Sequence, residues 1–314
     1  LNAVPTGERS ISGQLGFLGQ YGKIPVIHLY VTATSGTTQV RAKSLRQFKA
    51  ALASGRYRAV VGITQGGYSG LVPLNIDLSR RYKTPAMLLS STIGNYAEIY
   101  AEINNPIRFK TQIAYEESTG YNIIGKVLGS DSQAKPIVII VPRSAWWYAA
   151  AERGTSVAAM LAAAKVLAKQ PLKHTLYFVS TTGQEFYSLG LRKFLSAHPD
   201  LVKNAYAWIY LGANVGTNPK PDYIVQGSSR RMRRLVHRIF DEHDIKQVRW
   251  LHQPKAILSP LRKPFLHSDH AVIIAATNNR CDRMTCDKWP SAVNVKATLA
   301  FTQSLIQMLH YLSK

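Results

Sequence analysis

The chain has 314 residues, of which 39 are Lys or Arg and 17 are Asp or Glu, so its formal net charge at pH 7 is +22. Hydrophobic residues make up 46% of it, which excludes a mainly disordered chain, because such chains have too little apolar surface to bury. The longest apolar runs, 137–142 and 271–276, are far shorter than the roughly 20 residues of a membrane-spanning helix, so no transmembrane span is expected.

Short strands and helices alternate in the first part of the chain. Runs rich in Val, Ile and Tyr predict strands, and apolar residues spaced three or four apart predict helices. The predicted strands are 22–32, 57–64, 84–90 and 106–116, and the predicted helices are 42–54 and 96–103. The glycine-rich segment 66–70 is predicted to be a loop, and it lacks the Lys-Ser/Thr pair of a phosphate-binding P-loop.

The second part of the chain continues this alternation with longer helices. The predicted strands are 121–128, 136–141, 174–180, 205–211, 248–251 and 271–276, and the predicted helices are 155–169, 187–198, 229–243 and 292–312. Segment 136–141 is a nearly continuous apolar run, which is typical of a strand buried on both faces. The alternation predicts an α/β fold with a mostly parallel sheet that is covered by helices.

Six segments of the second part carry short motifs in a fixed order. They are 117–129, 136–146, 152–167, 183–190, 267–270 and 281–287. In order and spacing they resemble the zinc aminopeptidase family, which includes glutamate carboxypeptidase, glutaminyl cyclase and the transferrin receptor ectodomain. Segment 55–90 resembles part of the protease-associated domain that many members of this family contain. The resemblance implies two domains, a protease-associated-like domain at 20–116 and a zinc-peptidase-like domain at 117–314.

The same resemblance implies a site for two zinc ions, which the family holds with two His, a bridging Asp, a Glu and one further acid. Zinc needs lone-pair donors such as imidazole or carboxylate. The first His of the family falls on Pro142, which has no side-chain donor, and an Asp that orients the site falls on Ser144. The bridging Asp falls on Glu152, which keeps the carboxylate on a longer side chain.

The remaining positions of the implied site are also altered. The general base of the family falls on Gln184, a neutral amide that cannot take a proton from water. The ligand Glu is kept as Glu185. The next acidic ligand falls on Asn214, or on Gly212 if the alignment slips, and the last His falls on Arg283.

These replacements predict a catalytically inactive peptidase homologue that needs no cofactor and acts as a binding or structural subunit. A guanidinium has no lone pair for zinc, so we expect Arg283 to replace the lost metal charge by pairing with Glu152 and Glu185, or else to point into solvent. One alternative is a residual or altered hydrolase or cyclase with at most one zinc, held by the two glutamates and one other His. Another is a protein that binds anionic polysaccharide or lipid surfaces.

Two groups of residues are candidates for binding. In helix 229–243 the basic residues share one face, opposite an apolar face; they are Arg230, Arg231, Arg233, Arg234, His237 and Arg238. This face is either a solvated surface or a docking stripe for an anionic partner. Trp146, Trp147 and Tyr148 follow the altered zinc turn, and they either fill the vacated cleft or line a binding surface.

Cys281 and Cys286 fall where secreted relatives carry a disulfide, so the resemblance implies a disulfide here, the alternative being two thiols. Disulfides persist in oxidising compartments, so we expect an extracytoplasmic protein. The chain begins at Leu1 without an apolar signal segment, which predicts a processed chain or a missing N-terminus.

The expected partners are a protein or a larger complex. The net positive charge also favours an anionic surface or polymer, or reflects adaptation to an acidic compartment. The sequence has no signature of sequence-specific nucleic-acid binding.

Overall fold

The computed structural model describes residues 6, 9–75, 82, 84–114, 116–251, 264 and 267–314. These residues form two compact units. The first unit contains the described residues before Gly120 together with Arg280–Met284, and the second contains those of Gly120–Asn279 and Thr285–Lys314. The range predicted for the first domain, 20–116, did not include the segment at 280–284.

The first unit is built on a sheet whose strands follow the order β4-β3-β2-β1-β5. The elements are β1 (Ile11–Phe17), β2 (Ile24–Tyr30), α1 (Thr38–Ala53), β3 (Val60–Gln65), β4 (Ala86–Ser90), α2 (Ser91–Glu102) and β5 (Pro106–Phe109). Neighbouring strands from β1 to β4 are parallel, and β5 is antiparallel to β1. Apolar residues are buried on both faces of this sheet, which gives the unit its own core. Its assignment as a protease-associated domain stays a prediction.

Both helices of the first unit begin earlier than their apolar spacing predicted, because a side chain caps each start. The Thr37 hydroxyl accepts a hydrogen bond from the Val40 backbone N–H, and Ser90 accepts one from Ile93 in the same way. Strand β1 was not predicted, since its two glycines and its polar positions hide the apolar residues that it buries, Leu15 among them.

The second unit is built on a larger sheet with the strand order β11-β10-β12-β9-β7-β8-β6. Its strands are β6 (Ile123–Val127), β7 (Ile137–Pro142), β8 (Leu176–Thr181), β9 (Ala207–Leu211), β10 (Asp222–Gly227), β11 (Val248–Trp250) and β12 (His270–Thr277). Its helices are α3 (Thr155–Leu167), α4 (Leu189–Ala197), α5 (Pro199–Asn204), α6 (Arg230–Glu242) and α7 (Val295–Leu312). The four central strands β12, β9, β7 and β8 are parallel. The predicted α/β fold with a mostly parallel sheet is confirmed.

The parallel strands give this sheet two distinct edges. They begin in register at Ile137, Leu176, Ala207 and His270, and we call this end the amino edge. They end near Pro142, Thr181, Leu211 and Thr277, and we call this end the carboxyl edge. The core lies between the sheet and the helices on each face, and β7 is buried along its whole length. In the part of the chain that the structure describes, every helix is too short or too polar to cross a membrane.

Candidate functional site

The carboxyl edge of the second sheet brings together most of the residues that the family resemblance singled out. Ser144 follows β7, Glu185 lies in a short helical turn after β8, and Asn214 follows β9. Glu152 comes from a single π-helical turn, Ala150–Gly154, that leads into α3. Open α/β sheets commonly bind their ligands at this edge, so the arrangement marks it as the candidate site.

Glu152 is paired with a cation that is its neighbour in the chain. Its side chain lies 3.0 Å from Arg153, measured from Oε1 to Nη2. Glu152 is 3% exposed and Arg153 is 8% exposed, and buried charges need such a partner to offset the loss of water. Burial raises the pKa of Tyr210 on β9, and the positive charge of Arg153 lowers it by a smaller amount. The charge of Glu152 is therefore balanced within the second unit.

Asp287 ties the loops of this edge together. Its carboxylate accepts hydrogen bonds from the backbone N–H groups of Ala151 at 2.7 Å and Glu152 at 2.9 Å, and from Asn279 Nδ2 at 3.1 Å. The same Asn279 nitrogen donates to Asn214 Oδ1 at 2.9 Å. Asp287 is only 1% exposed, so these donors replace the water that its carboxylate loses on burial.

The third carboxylate, Glu185, is held by a hydroxyl group. Ser144 Oγ donates to Glu185 Oε2 at 2.6 Å, and the same oxygen accepts a hydrogen bond from the Gln184 backbone N–H at 2.9 Å. The side-chain carbonyl of Gln184 accepts a hydrogen bond from Ser188 Oγ at 2.9 Å. A neutral amide in this position cannot act as a proton acceptor for water.

These residues do not fit a pair of zinc ions. Pro142 ends β7 without a side-chain donor, the Asn214 oxygen is engaged by Asn279, and Glu152 is engaged by a guanidinium. Zinc sites are built from imidazole, thiolate and carboxylate donors. Among the described residues, no three or more His, Cys, Asp and Glu side chains are grouped so that they could hold a metal ion.

Two members of this network were missed by sequence analysis. Arg153 directly follows Glu152, and Asp287 closes the segment 281–287, but neither residue corresponds to a ligand or a base of the family. Arg283 was expected to supply the cation instead. It is half-buried, has a left-handed backbone with φ of 58°, and lies in the segment grouped with the first unit. Its pairing with Glu152 and Glu185 stays a prediction.

Cys281 and Cys286 are joined in a disulfide, which confirms that prediction. Of the aromatic residues after β7, Trp146 is partly buried, whereas Trp147 is 42% exposed and Tyr148 is 72% exposed. The Lys288 ammonium lies 4.7 Å from the centre of the Tyr148 ring, a cation–π contact. A binding role for Trp146, Trp147 and Tyr148 stays a prediction.

The arginine-rich face of α6 lies at the opposite end of the sheet. Its apolar residues are buried as predicted, namely Met232, Leu235, Val236, Ile239 and Phe240. Arg230, Arg231, Arg234 and Arg238 are exposed. Arg233 is half-buried, and its Nη1 donates to the Gly227 carbonyl at 3.1 Å.

Comparisons with known proteins agree with this architecture. Residues 127–279 match the model of peptidase family M28. The zinc aminopeptidase BSAP from Bacillus subtilis is 16% identical over 99% of this chain and 77% of its own, with a TM-score of 0.72. A peptidase M28 precursor from Shewanella amazonensis is 15% identical over 99% of this chain and 76% of its own, with a TM-score of 0.68. At these identities the structural matches establish the fold alone. No curated protein sequence matches the chain.

Proposed function

The chain belongs to the zinc aminopeptidase-like family, and on that premise we propose that it is a catalytically inactive member that acts as a binding or structural subunit. The observation that carries this proposal is the buried pair of Glu152 and Arg153. By the resemblance, Glu152 occupies the position of the carboxylate that bridges two zinc ions, and here that carboxylate holds a guanidinium.

Electrostatics makes the guanidinium and a metal ion mutually exclusive at this position. A dication bound to the Glu152 carboxylate would lie close to the fixed positive charge of Arg153, and repulsion at such distances amounts to several kcal/mol in a partly buried site. The carboxylate that would attract zinc in this position is therefore already paired with a cation of the same chain.

The loss of the general base supports the same conclusion independently. General acid–base help is typically worth about 10²–10⁴ in rate. Gln184 occupies the family position of this base, and its side-chain oxygen accepts a hydrogen bond from Ser188. Even with a metal ion bound, a water molecule here would have no carboxylate from this position to take its proton.

Elemental analysis of the full chain tests the proposal. Protein dialysed against zinc and then freed of excess metal should carry less than about a tenth of an equivalent of zinc, and it should not hydrolyse aminoacyl p-nitroanilides. One equivalent of zinc in the wild-type chain that disappears in Glu185→Ala would overturn the proposal and favour the residual hydrolase. Lys165→Ala, an exposed change on α3, is the matched control.

We also propose that the protein functions outside the cytoplasm. The disulfide between Cys281 and Cys286 supports this, because such bonds persist in oxidising compartments. Thiol titration of the unfolded protein, isolated under rapid alkylation from its native cells, should find no reactive thiol. Two alkylated cysteines would argue for a reducing compartment.

A further inference from the structure

The amino edge of the second sheet carries an open pocket of about 700 Å³, formed largely by α6. We call it the arginine pocket. Its lining includes four arginines and three aromatic rings, which are Arg230, Arg231, Arg234, Arg238, Tyr206, His270 and Tyr311. No Asp or Glu lies among the described residues that line it. A second cavity on the same helix is lined by Asp241 and Glu242 as well as by arginines, so its excess of positive charge is smaller than that of the arginine pocket.

Most of the guanidinium charge in this pocket has no counter-charge. Within the described ranges, Arg230, Arg231 and Arg234 form no ion pair with a carboxylate. Arg238 differs, since its Nε lies 3.9 Å from Glu242 Oε1 and its guanidinium lies over the Tyr311 ring at 5.2 Å. Three cations therefore remain available to a ligand.

This arrangement is unfavourable for the helix that carries it. Arg230 and Arg231 occupy the first turn of α6, where the helix dipole is positive and cations are destabilising. Arg234 follows Arg230 by four residues, a spacing at which like charges repel. A bound anion would remove both costs at once.

The aromatic wall of the pocket is part of a stack of three rings. Tyr206 stacks on His270 with ring centres 4.5 Å apart, and on its other side it stacks on His174 at 4.6 Å. Nε2 of His270 is buried, so the ring bounds the pocket without exposing this nitrogen to a ligand.

We propose that the arginine pocket binds a phosphate or sulfate group, held by the guanidiniums of Arg230, Arg231 and Arg234 beside the ring of His270. Guanidinium groups match tetrahedral oxyanions in shape and charge, and their hydrogen bonds to such anions are among the stronger ones in proteins. The proposal names a ligand class for the binding role proposed above. Its test does not involve the zinc measurement, so either proposal can fail without the other.

Titration calorimetry with the full chain tests the pocket, using inorganic phosphate and a sulfated tetrasaccharide as probes at low and high salt. In the variant Arg230→Gln/Arg231→Gln/Arg234→Gln we expect at least a tenfold loss of affinity for whichever probe binds. The control Lys165→Gln/Lys169→Gln/Lys203→Gln removes the same charge from exposed positions on other parts of the second unit, and should change affinity less than twofold.

The two probes distinguish the sources of the anion. Pocket-dependent binding of phosphate indicates a small phosphorylated ligand, and pocket-dependent binding of the tetrasaccharide alone indicates a sulfated polymer; both support the oxyanion site. Equal losses in the two triple variants would mean general attraction to a basic protein and would overturn the proposal. Absence of binding to either probe at millimolar concentration would also overturn it.

A second measurement covers the case in which the triple variant fails to fold. In the wild-type chain, the ring resonances of His270 should shift when phosphate or sulfate is added, and those of His198, which lies between α4 and α5, should not, since His198 does not line the pocket. A His270 signal that does not respond to saturating anion would overturn the proposal.

Discussion

At the carboxyl edge of the second sheet, buried carboxylates have partners within the same unit, whereas at the amino edge three exposed arginines have no carboxylate partner among the described residues. Glu152 is paired with Arg153, and Glu185 accepts a hydrogen bond from Ser144. Arg230 and Arg231 lie on the other edge, in the first turn of a helix, with no carboxylate lining their pocket among the described residues. At one end of the sheet the carboxylates are buried and have partners, an arrangement that we call closed. At the other end the guanidiniums are exposed and most of them lack a carboxylate partner among the described residues, an arrangement that we call open.

This difference separates two meanings of a charged cluster. A buried network whose members satisfy one another holds loops in place, and removing one member leaves its partner unpaired in a medium of low dielectric. An exposed cluster of one sign contributes nothing to packing and creates a potential that attracts ligands. Removing a charge should therefore destabilise the fold at the carboxyl edge, and weaken binding at the amino edge.

The largest effect is expected at Glu152. Glu152→Gln leaves the buried guanidinium of Arg153 without its counter-charge, which typically costs about 3–5 kcal/mol of stability. Urea unfolding measures this loss directly. The double variant Glu152→Gln/Arg153→Met should recover a large part of it, because both charges are then absent.

The double variant is also the control for the structural role of the pair. If Glu152→Gln and the double variant were equally unstable, the ion pair would not be the reason for the loss. If Glu152→Gln were as stable as the wild-type chain, the closed network at the carboxyl edge would be contradicted.

A smaller loss is expected at Asp287. In Asp287 both carboxylate oxygens accept hydrogen bonds from backbone N–H groups. Asp287→Asn puts an amide NH₂ group, which can only donate, in place of one of these oxygens. Leaving a buried N–H unsatisfied costs about 1–3 kcal/mol. Asp222→Asn changes an exposed residue at the start of β10 in the same chemical way, and it should stay within about 0.5 kcal/mol of the wild type. Equal stabilities of the two variants would contradict the role of Asp287.

The sequence predicted the central strands well, because their signal is local. The apolar runs of β7 and β8 need no distant partner to be recognised, and the predicted α/β fold follows from their alternation with helices. Strand β10 was missed, since only its pairing with β12 and β11 explains why Asp222–Gly227 is extended.

The candidate site was predictable only in part for a similar physical reason. The substitutions at Pro142 and Gln184 are visible along the chain and indicate a loss of zinc chemistry. The roles of Arg153 and Asp287 could not be predicted, because they depend on which side chains the π-helical turn and the loop after Cys286 bury together. The arginine pocket likewise requires that α6 and His270 meet at one edge, which spacing within a single helix does not reveal.

A moderate effect is expected from pH at the amino edge. Burial and the charge of Arg231 hold the pKa of His270 below its usual value, against smaller opposing effects of Asp269 and of a hydrogen bond with the Tyr206 backbone. A bound anion would raise this pKa, so binding would take up a proton, and affinity should increase as the pH falls through the range between the pKa values of the free and the bound protein. Each unit of pKa rise is worth up to about tenfold in affinity.

Sulfate is the suitable probe for this measurement, because it does not titrate in this range. The other ionisable groups that line the pocket with His270 include Arg230, Arg231, Arg234 and Tyr206. His174 stacks on the far side of Tyr206, so His174→Gln is the matched control. Affinity in His270→Gln should lose most of its pH dependence, and affinity in His174→Gln should keep it; the reverse result would exclude His270 as the group that takes up the proton.

The smallest effect is a gain in stability, and it separates a binding site from a structural cluster most directly. Arg230→Gln removes a cation from the positive end of α6, where no carboxylate of the described residues pairs with it. This change should stabilise the free protein by about 0.3–1 kcal/mol at low salt, while it weakens the binding of the anionic probe. Arg230→Lys keeps the charge, so its stability in thermal unfolding should not increase. If the substitution stabilises the fold and weakens binding, Arg230 is retained for its ligand. A loss of stability in Arg230→Gln would instead mean that the arginine has a structural partner and that the amino edge is closed like the carboxyl edge.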